Sequence, residues 1–225
     1  ARRIIAKYPA SARGYTLLAS IHEYQKDYPA AIAEMRKGIQ ANPKDLQARV
    51  YLGNLYAAKK EYPAAQQAYA DVLQQNRQFV PAIFAQGVLL QQTGKVKDAV
   101  DRYRAALAVS DRYVPALNNL AYLCAEGHCA KDEALSLAMR AFRLEPGNPG
   151  IMDTLGYALL KNGRHDDGRK VLEKAAALLP NNPSVQYHLG MAYKLAGNKQ
   201  QAVQALQKSL TLGAFPEADA ARALL

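Results

Sequence analysis

Leu52-Gly53, then Pro63-Ala64-Ala65, then Tyr69 set a pattern that decides the fold, because the same residue types return along the whole chain. Anchoring on Ala65 and moving outward finds Ala31, Ala99, Ala134, Gly168 and Ala202, at successive separations of 34, 34, 35, 34 and 34 residues. A fixed period of this length marks an array of helix pairs, each burying its apolar face only against its neighbours. Small residues stand upstream of every anchor, at Ala19, Gly53, Gly87, Ala121, Gly156 and Gly190. A larger side chain there would hold two crossing helices apart. Leu18, Leu52, Leu120, Leu155 and Leu189 precede the small residues as apolar knobs, with Gln86 the exception. Four residues after each anchor comes a filler on the same helical face: Met35, Tyr69, Tyr103, Ala138, Leu172 and Leu206. Gly94, Gly163 and Gly197 suit left-handed C-caps, Pro29 and Pro63 open second helices, and Pro43, Pro146 and Pro180 close units.

The pattern predicts an all-α chain of six units over 12–45, 46–79, 80–113, 114–148, 149–182 and 183–216. Residues 1–11 match the second-helix remnant of a preceding unit, with Ile4-Ile5 in its helix and Pro9 as its closing proline. An exposed half-unit leaves an apolar face without a partner, so the sequence reads as a segment of a longer protein. Residues 217–225 read as a C-terminal capping helix opened by Pro216 and acids. The composition agrees: of 225 residues, 50% are hydrophobic and 21% charged, with 14 Gly and 11 Pro, which excludes both a disordered and a fibrous chain. No apolar run approaches the roughly 18 to 20 residues of a membrane span, so no transmembrane segment is expected, and residues 1–9 lack a signal-peptide core.

This 34-residue arrangement resembles the tetratricopeptide repeat (TPR), in which the small residue, the alanine, the filler and the closing proline fall at the same spacing. The family's early Trp is replaced by Tyr15, Arg49, Ile83, Leu117, Met152 and Gln186. The resemblance implies an α-α superhelix, a TPR solenoid of stacked antiparallel helix pairs, whose first helices line a concave groove that binds a protein or peptide.

Taking positions 2, 5, 6, 9, 12 and 13 of each unit as the groove stripe, its charges are Arg13, Lys161 and Lys194 against Glu23, Glu126 and Asp153. The stripe is formally neutral although the chain carries +10. The basic excess sits on second helices and turns, as in Arg36-Lys37, Lys59-Lys60 and Arg169-Lys170. A nucleic-acid surface would need a continuous basic stripe interleaved with stacking aromatics, and the sequence has none. The stripe holds instead Tyr51, Asn54, Phe84, Asn118, Asn119, Tyr122, Asp153, Tyr157, Tyr187, His188 and Lys194. Asn bonds peptide N–H and C=O at once, and Tyr offers a flat apolar face with a polar tip, so these are the candidate partner-binding residues. The same tyrosines could equally fill contacts between adjacent units.

The residues do not assemble an active site, and no cofactor or metal is expected. His188 reads as a polar groove residue or one packed on Tyr187, and the acids of His165-Asp166-Asp167 suit the opening of a second helix. Cys124, His128 and Cys129 fall short of a closed zinc site; Cys124 reads either as a buried thiol or as half of a Cys124–Cys129 disulfide stapling a turn widened by one residue. Such a bond requires an oxidising compartment. Two specialisations of the TPR family do not match: of the carboxylate clamp only Arg13, Asn54 and Asn119 fit, and of the asparagine ladder of a glycosyltransferase only Asn119.

Asn118-Asn119-Leu120-Ala121-Tyr122 and Met152-Asp153-Thr154-Leu155-Gly156-Tyr157, with the ending Phe215 to Leu225, are similar to TPR lipoproteins of bacterial exopolysaccharide production and surface-protein sorting. That resemblance implies a non-enzymatic scaffold of the bacterial cell envelope, in the periplasm or anchored through a missing N-terminal region, with the cytoplasm as the alternative. Three other readings remain open: a self-association module giving a homo-oligomer, in which a terminal cap such as Glu217 to Leu225 docks in the groove of a neighbouring copy; the regulatory arm of a larger enzyme; and binding of an anionic polymer on the basic convex side, which salt would weaken.

Overall fold

The computed structural model describes residues 1–8 and 10–225, and every side chain among them except that of Lys131. Pro9, expected to close the preceding unit, lies outside the described residues. Among the described residues there are 14 α-helices and no strand. The chain divides into two compact units, Ala1–Asp111 and Arg112–Leu225.

In the first unit α1 (Arg2–Lys7) packs on α2 (Arg13–Tyr24), which pairs with α3 (Tyr28–Ala41); α4 (Leu46–Ala58) pairs with α5 (Tyr62–Gln75), and α6 (Val80–Gln92) with α7 (Val96–Val109). In the second, α8 (Val114–Leu123) runs into a π-helical turn, Cys124–His128, and pairs with α9 (Lys131–Leu144). Then α10 (Pro149–Lys161) pairs with α11 (His165–Leu178) and α12 (Pro183–Leu195) with α13 (Lys199–Thr211), and α14 (Ala218–Leu224) follows.

The close crossings are where the small residues put them, but what lies across each glycine is the filler more than the anchor. A Cβ on Gly53 would sit 2.3 Å from Cε1 of Tyr69, on Gly87 2.6 Å from Cε1 of Tyr103, and on Gly190 2.7 Å from Cγ of Leu206. At Gly156 the backbones themselves meet: its Cβ would lie 2.5 Å from Cγ of Leu172 and 3.2 Å from the carbonyl of Gly168, and a Cβ on Gly168 would lie 2.9 Å from the carbonyl of Gly156. Glycine thus replaces alanine as the fifth anchor because two backbones approach each other there. The knobs differ between units: Leu120, Leu155 and Leu189 are buried, Leu18 and Leu52 only half-buried.

Local chemistry fixes the helix ends. The carboxylates of Asp27 and Asp45 accept from the backbone N–H of Ala30 and Ala48, and the amide oxygens of Asn148 and Asn182 from those of Gly150 and Val185. Each satisfies a donor that the first helical turn leaves unpaired. Gly94, Gly163 and Gly197 turn the chain with φ of 78°, 76° and 77°, whereas Lys26 and Lys60 take the same left-handed conformation in the first two pairs at φ 59° and 65°.

Candidate functional site

Successive first helices of the second unit bring four rings together. Tyr122 on α8 and Tyr157 on α10 lie 5.9 Å apart between centroids, and His188 on α12 stacks on Tyr157 at 4.3 Å with an interplanar angle of 21°. Tyr187 flanks the imidazole at 5.4 Å and Tyr122 at 6.3 Å. The Nδ1 of His188 lies 2.9 and 3.0 Å from the two carboxylate oxygens of Asp153 on α10. The hydroxyl of Tyr157 donates to Glu126, which lies in the π-helical turn just before Gly127 takes φ 97°. Lys161 stands 5.1 Å from the centre of the Tyr157 ring.

Packing between adjacent units, one of the two readings the sequence leaves open for this stripe, describes four of its residues. Asp153, Tyr157, Tyr187 and His188 are buried within the chain, His188 to 1% exposure, and they engage adjacent helices before any partner arrives. Burial drives the Tyr157 hydroxyl pKa well above its usual value, helped by the Glu126 carboxylate, and the Tyr122 hydroxyl rises for the same reasons with Glu217 as its partner. For His188 burial pulls the pKa down, but the Asp153 carboxylate outweighs it, reinforced by Glu217 and Glu126, so the imidazole is held above its ordinary value. Its Nε2 has no hydrogen-bond partner among the described residues.

The end of the described chain lies on the same face. Glu217 accepts from the Tyr122 hydroxyl at 2.5 Å on one carboxylate oxygen and from the Ser184 hydroxyl at 3.0 Å on the other. Lys194 donates to the backbone carbonyl of Leu224 at 2.6 Å. Phe215 lies 6.3 Å from the Tyr187 ring, and Ala221 is buried with Tyr187 and Leu206. Sequence reasoning named Tyr122 and Lys194 and read Glu217 as the opening of a capping helix, but not as the partner of Tyr122; Ser184 stood in the stripe without being singled out.

The first unit gathers its candidates in separate pairs. Tyr51 donates to Glu23 at 2.6 Å, Asn54 accepts from Tyr69 at 2.8 Å, and Phe84 lies 5.5 Å from the Tyr103 ring. Burial and the Glu23 carboxylate raise the Tyr51 pKa. Asn54 is exposed, Tyr51 and Phe84 half-buried. Gln86, the odd knob, lines a cavity of about 570 Å³ with Tyr62, Gln66, Lys95, Asp98 and Arg102. In the second unit Asn118 and Asn119 are half-buried.

Cys124 and Cys129 are joined by a disulfide across the π-helical turn. Glu133 brings a third potential ligand atom within 4.8 Å of the sulfurs, but two sulfurs bonded to each other offer no thiolate to a metal. Reduction is expected to cost about 2 kcal/mol of stability, the magnitude for so short a closed loop. Urea midpoints with and without dithiothreitol test this; identical midpoints would refute it.

The stacked pairs and their first-helix face define an α-helical repeat protein. Models of the tetratricopeptide repeat match residues 1–45 and 154–219, and a second such model matches 24–85, so the chain carries tetratricopeptide repeats. The fold is shared with a chain of the Cut9–Hcn1 hetero-tetramer of the APC/C, at a TM-score of 0.82 and 17% identity over 100% of this chain and 44% of that one. This chain therefore spans less than half the length of that relative. It is also similar to pilF of Pseudomonas aeruginosa (TM-score 0.63, 23% identity, 77% and 78% of the two chains). A third likeness is TTC0263, a TPR protein of Thermus thermophilus (TM-score 0.60, 22% identity, 79% and 95%). No curated protein matches the sequence. No helix among the described residues is long and apolar enough to cross a membrane.

Proposed function

We propose that this chain is a non-enzymatic scaffold that binds a protein or peptide on the first-helix face, in assembly of the bacterial cell envelope or its exopolysaccharide. One observation carries the binding reading: the face of the second unit already holds a peptide segment, residues 215–224, through two hydroxyls on a carboxylate and an ammonium on a backbone carbonyl. Those are the contacts that fix an extended or helical ligand in place. The Cut9–Hcn1 assembly supports it by likeness, since a chain of the same fold is held there in a complex with a second protein. The envelope role rests on the motif resemblance alone.

The test compares capture from bacterial envelope extract by the native chain and by a Tyr51→Ala, Phe84→Ala, Asn118→Ala variant of unchanged helical circular dichroism. Tyr157 is left intact because it is buried. The variant is expected to lose specific proteins at least tenfold while a Lys59→Ala, Lys60→Ala variant retains them. If salt releases the same material from all three, the basic outer face is the working surface and this reading is abandoned.

A further inference from the structure

Glu217 offers no repeat-derived reason to sit where it does. Helix α14 follows α13 after a six-residue connection, Leu212 to Glu217, in which Gly213 takes φ 122°. The other connections from a second helix to the next first helix within the second unit, Glu145–Asn148 and Leu179–Asn182, have four residues. The longer link delivers Glu217 onto α12 and out to Tyr122, 95 residues back in the sequence. Both hydroxyls that meet it belong to the first-helix face.

The charges close on it as well. Lys161 stands over the Tyr157 ring and Lys194 reaches the tethered segment at Leu224, while Asp153 faces His188, Glu126 faces Tyr157 and Glu217 faces Tyr122 and Ser184. With Glu217 withdrawn, the hydroxyls of Tyr122 and Ser184 lose the one carboxylate to which both donate. The face is thus complementary to one more carboxylate, and the chain itself supplies it. The apolar part is equally specific: Phe215 against Tyr187, then Ala221 and Leu224 over Leu206 and Leu210, an acid-led short helix with one small-residue face.

We propose that residues 215–224 are a tethered occupant of the partner site on this face. The partner that replaces them is a short helical peptide opening with an acidic residue, whose carboxylate takes the hydroxyls of Tyr122 and Ser184. This rests on the reading of the first-helix face as the binding surface and adds its regulation. Because the tethered segment competes at the high effective concentration of an intramolecular ligand, free peptide binds the native chain weakly.

A fluorescein-labelled peptide of residues 213–225 is the probe, with its Glu-to-Gln counterpart as control. Glu217→Gln in the full chain weakens the internal contact without removing the apolar cover. Labelled peptide is expected to bind the Glu217→Gln chain about tenfold or more tighter than the native chain, since a hydrogen bond to a charged group is at stake. The control peptide should bind neither, and adding Tyr122→Phe and Ser184→Ala should abolish the gain. Backbone amides of 218–224 should exchange at least about tenfold faster in Glu217→Gln, with those of α12 unchanged. Equal peptide binding by both chains, equal binding of the two peptides, or unchanged exchange in α14 overturns the proposal. So does a native dimer that Glu217→Gln dissolves on sedimentation, because the segment would then act between copies. If the peptide fails while the first-helix variants above still lose captured proteins, the regulation falls and the binding face stands. If the peptide behaves as expected while those variants capture normally, the face binds its own segment and the proposed partner role falls.

Discussion

Gly156→Leu is expected to melt α10 and α11 while α2 to α7 keep their amide protection. The new Cβ would sit 2.5 Å from Cγ of Leu172 and 3.2 Å from the Gly168 carbonyl, and the second contact is backbone that no rotamer change can move. Leucine for glycine in a helix interior returns about 1 kcal/mol of propensity. Overpacking at a backbone crossing costs about 3 kcal/mol, so steric conflict wins. In a repeat array the loss falls on the pair that carries it and its nearest neighbours. Hydrogen exchange along the chain reads the result directly, and uniform deprotection of both units would contradict it. Gly94→Leu makes a contrast: nothing lies near its Cβ, but φ of 78° strains any side chain there, so a smaller loss confined to the α6–α7 turn is expected.

His188→Leu should cost about 3 to 5 kcal/mol, because it leaves the Asp153 carboxylate buried without its partner. Pairing it with Asp153→Leu should return part of that loss, and no recovery would show that the two side chains are not coupled. The same pair gives the native chain a pH dependence. The folded state holds the imidazole pKa above the unfolded value of about 6.5, so between those two values the folded chain binds more protons than the unfolded one. The stabilisation is complete below about pH 6.5 and is lost as pH rises through the raised folded value. Urea midpoints should therefore fall with rising pH across that window in the native chain and stay flatter in Asp153→Asn, which keeps a hydrogen-bond partner but removes the charge. A midpoint that rises with pH in that window would reverse the sign and refute the assignment.

The fold was legible because its central requirement is short-range and repeats. Gly53, Gly87, Gly156 and Gly190 announce helix crossings by size alone, and the fillers that cover them stand at a constant distance along the chain. The helix caps were legible too, had Asp27, Asp45, Asn148 and Asn182 been read as the oxygen-bearing residues that open each helix. Lys26 and Lys60 were not, since a glycine search for left-handed turns passes over lysines that adopt them. In the site, Tyr122, Tyr157, Asp153 and His188 could be assigned to one stripe but not to one cluster. Whether three successive first helices bring their rings to separations of 4.3 to 6.3 Å depends on how closely those helices stack, which spacing does not encode. Glu126 could be placed on the stripe, yet its bond to Tyr157 is made from a π-helical turn that the repeat spacing does not specify.

Most ties in the second unit join residues no more than about one repeat apart, as Tyr157 does with Glu126 and His188 with Asp153. The Glu217 carboxylate spans 95 residues to Tyr122 and also needs Ser184 in place. It cannot hold both hydroxyls until α8, α10 and α12 have stacked, so in the order of assembly it is a late contact, and once they have stacked only the short link after α13 remains to be ordered. The segment that covers the face is thus the last part of the unit to arrive during folding and the first that can leave without undoing the helix pairs beneath it.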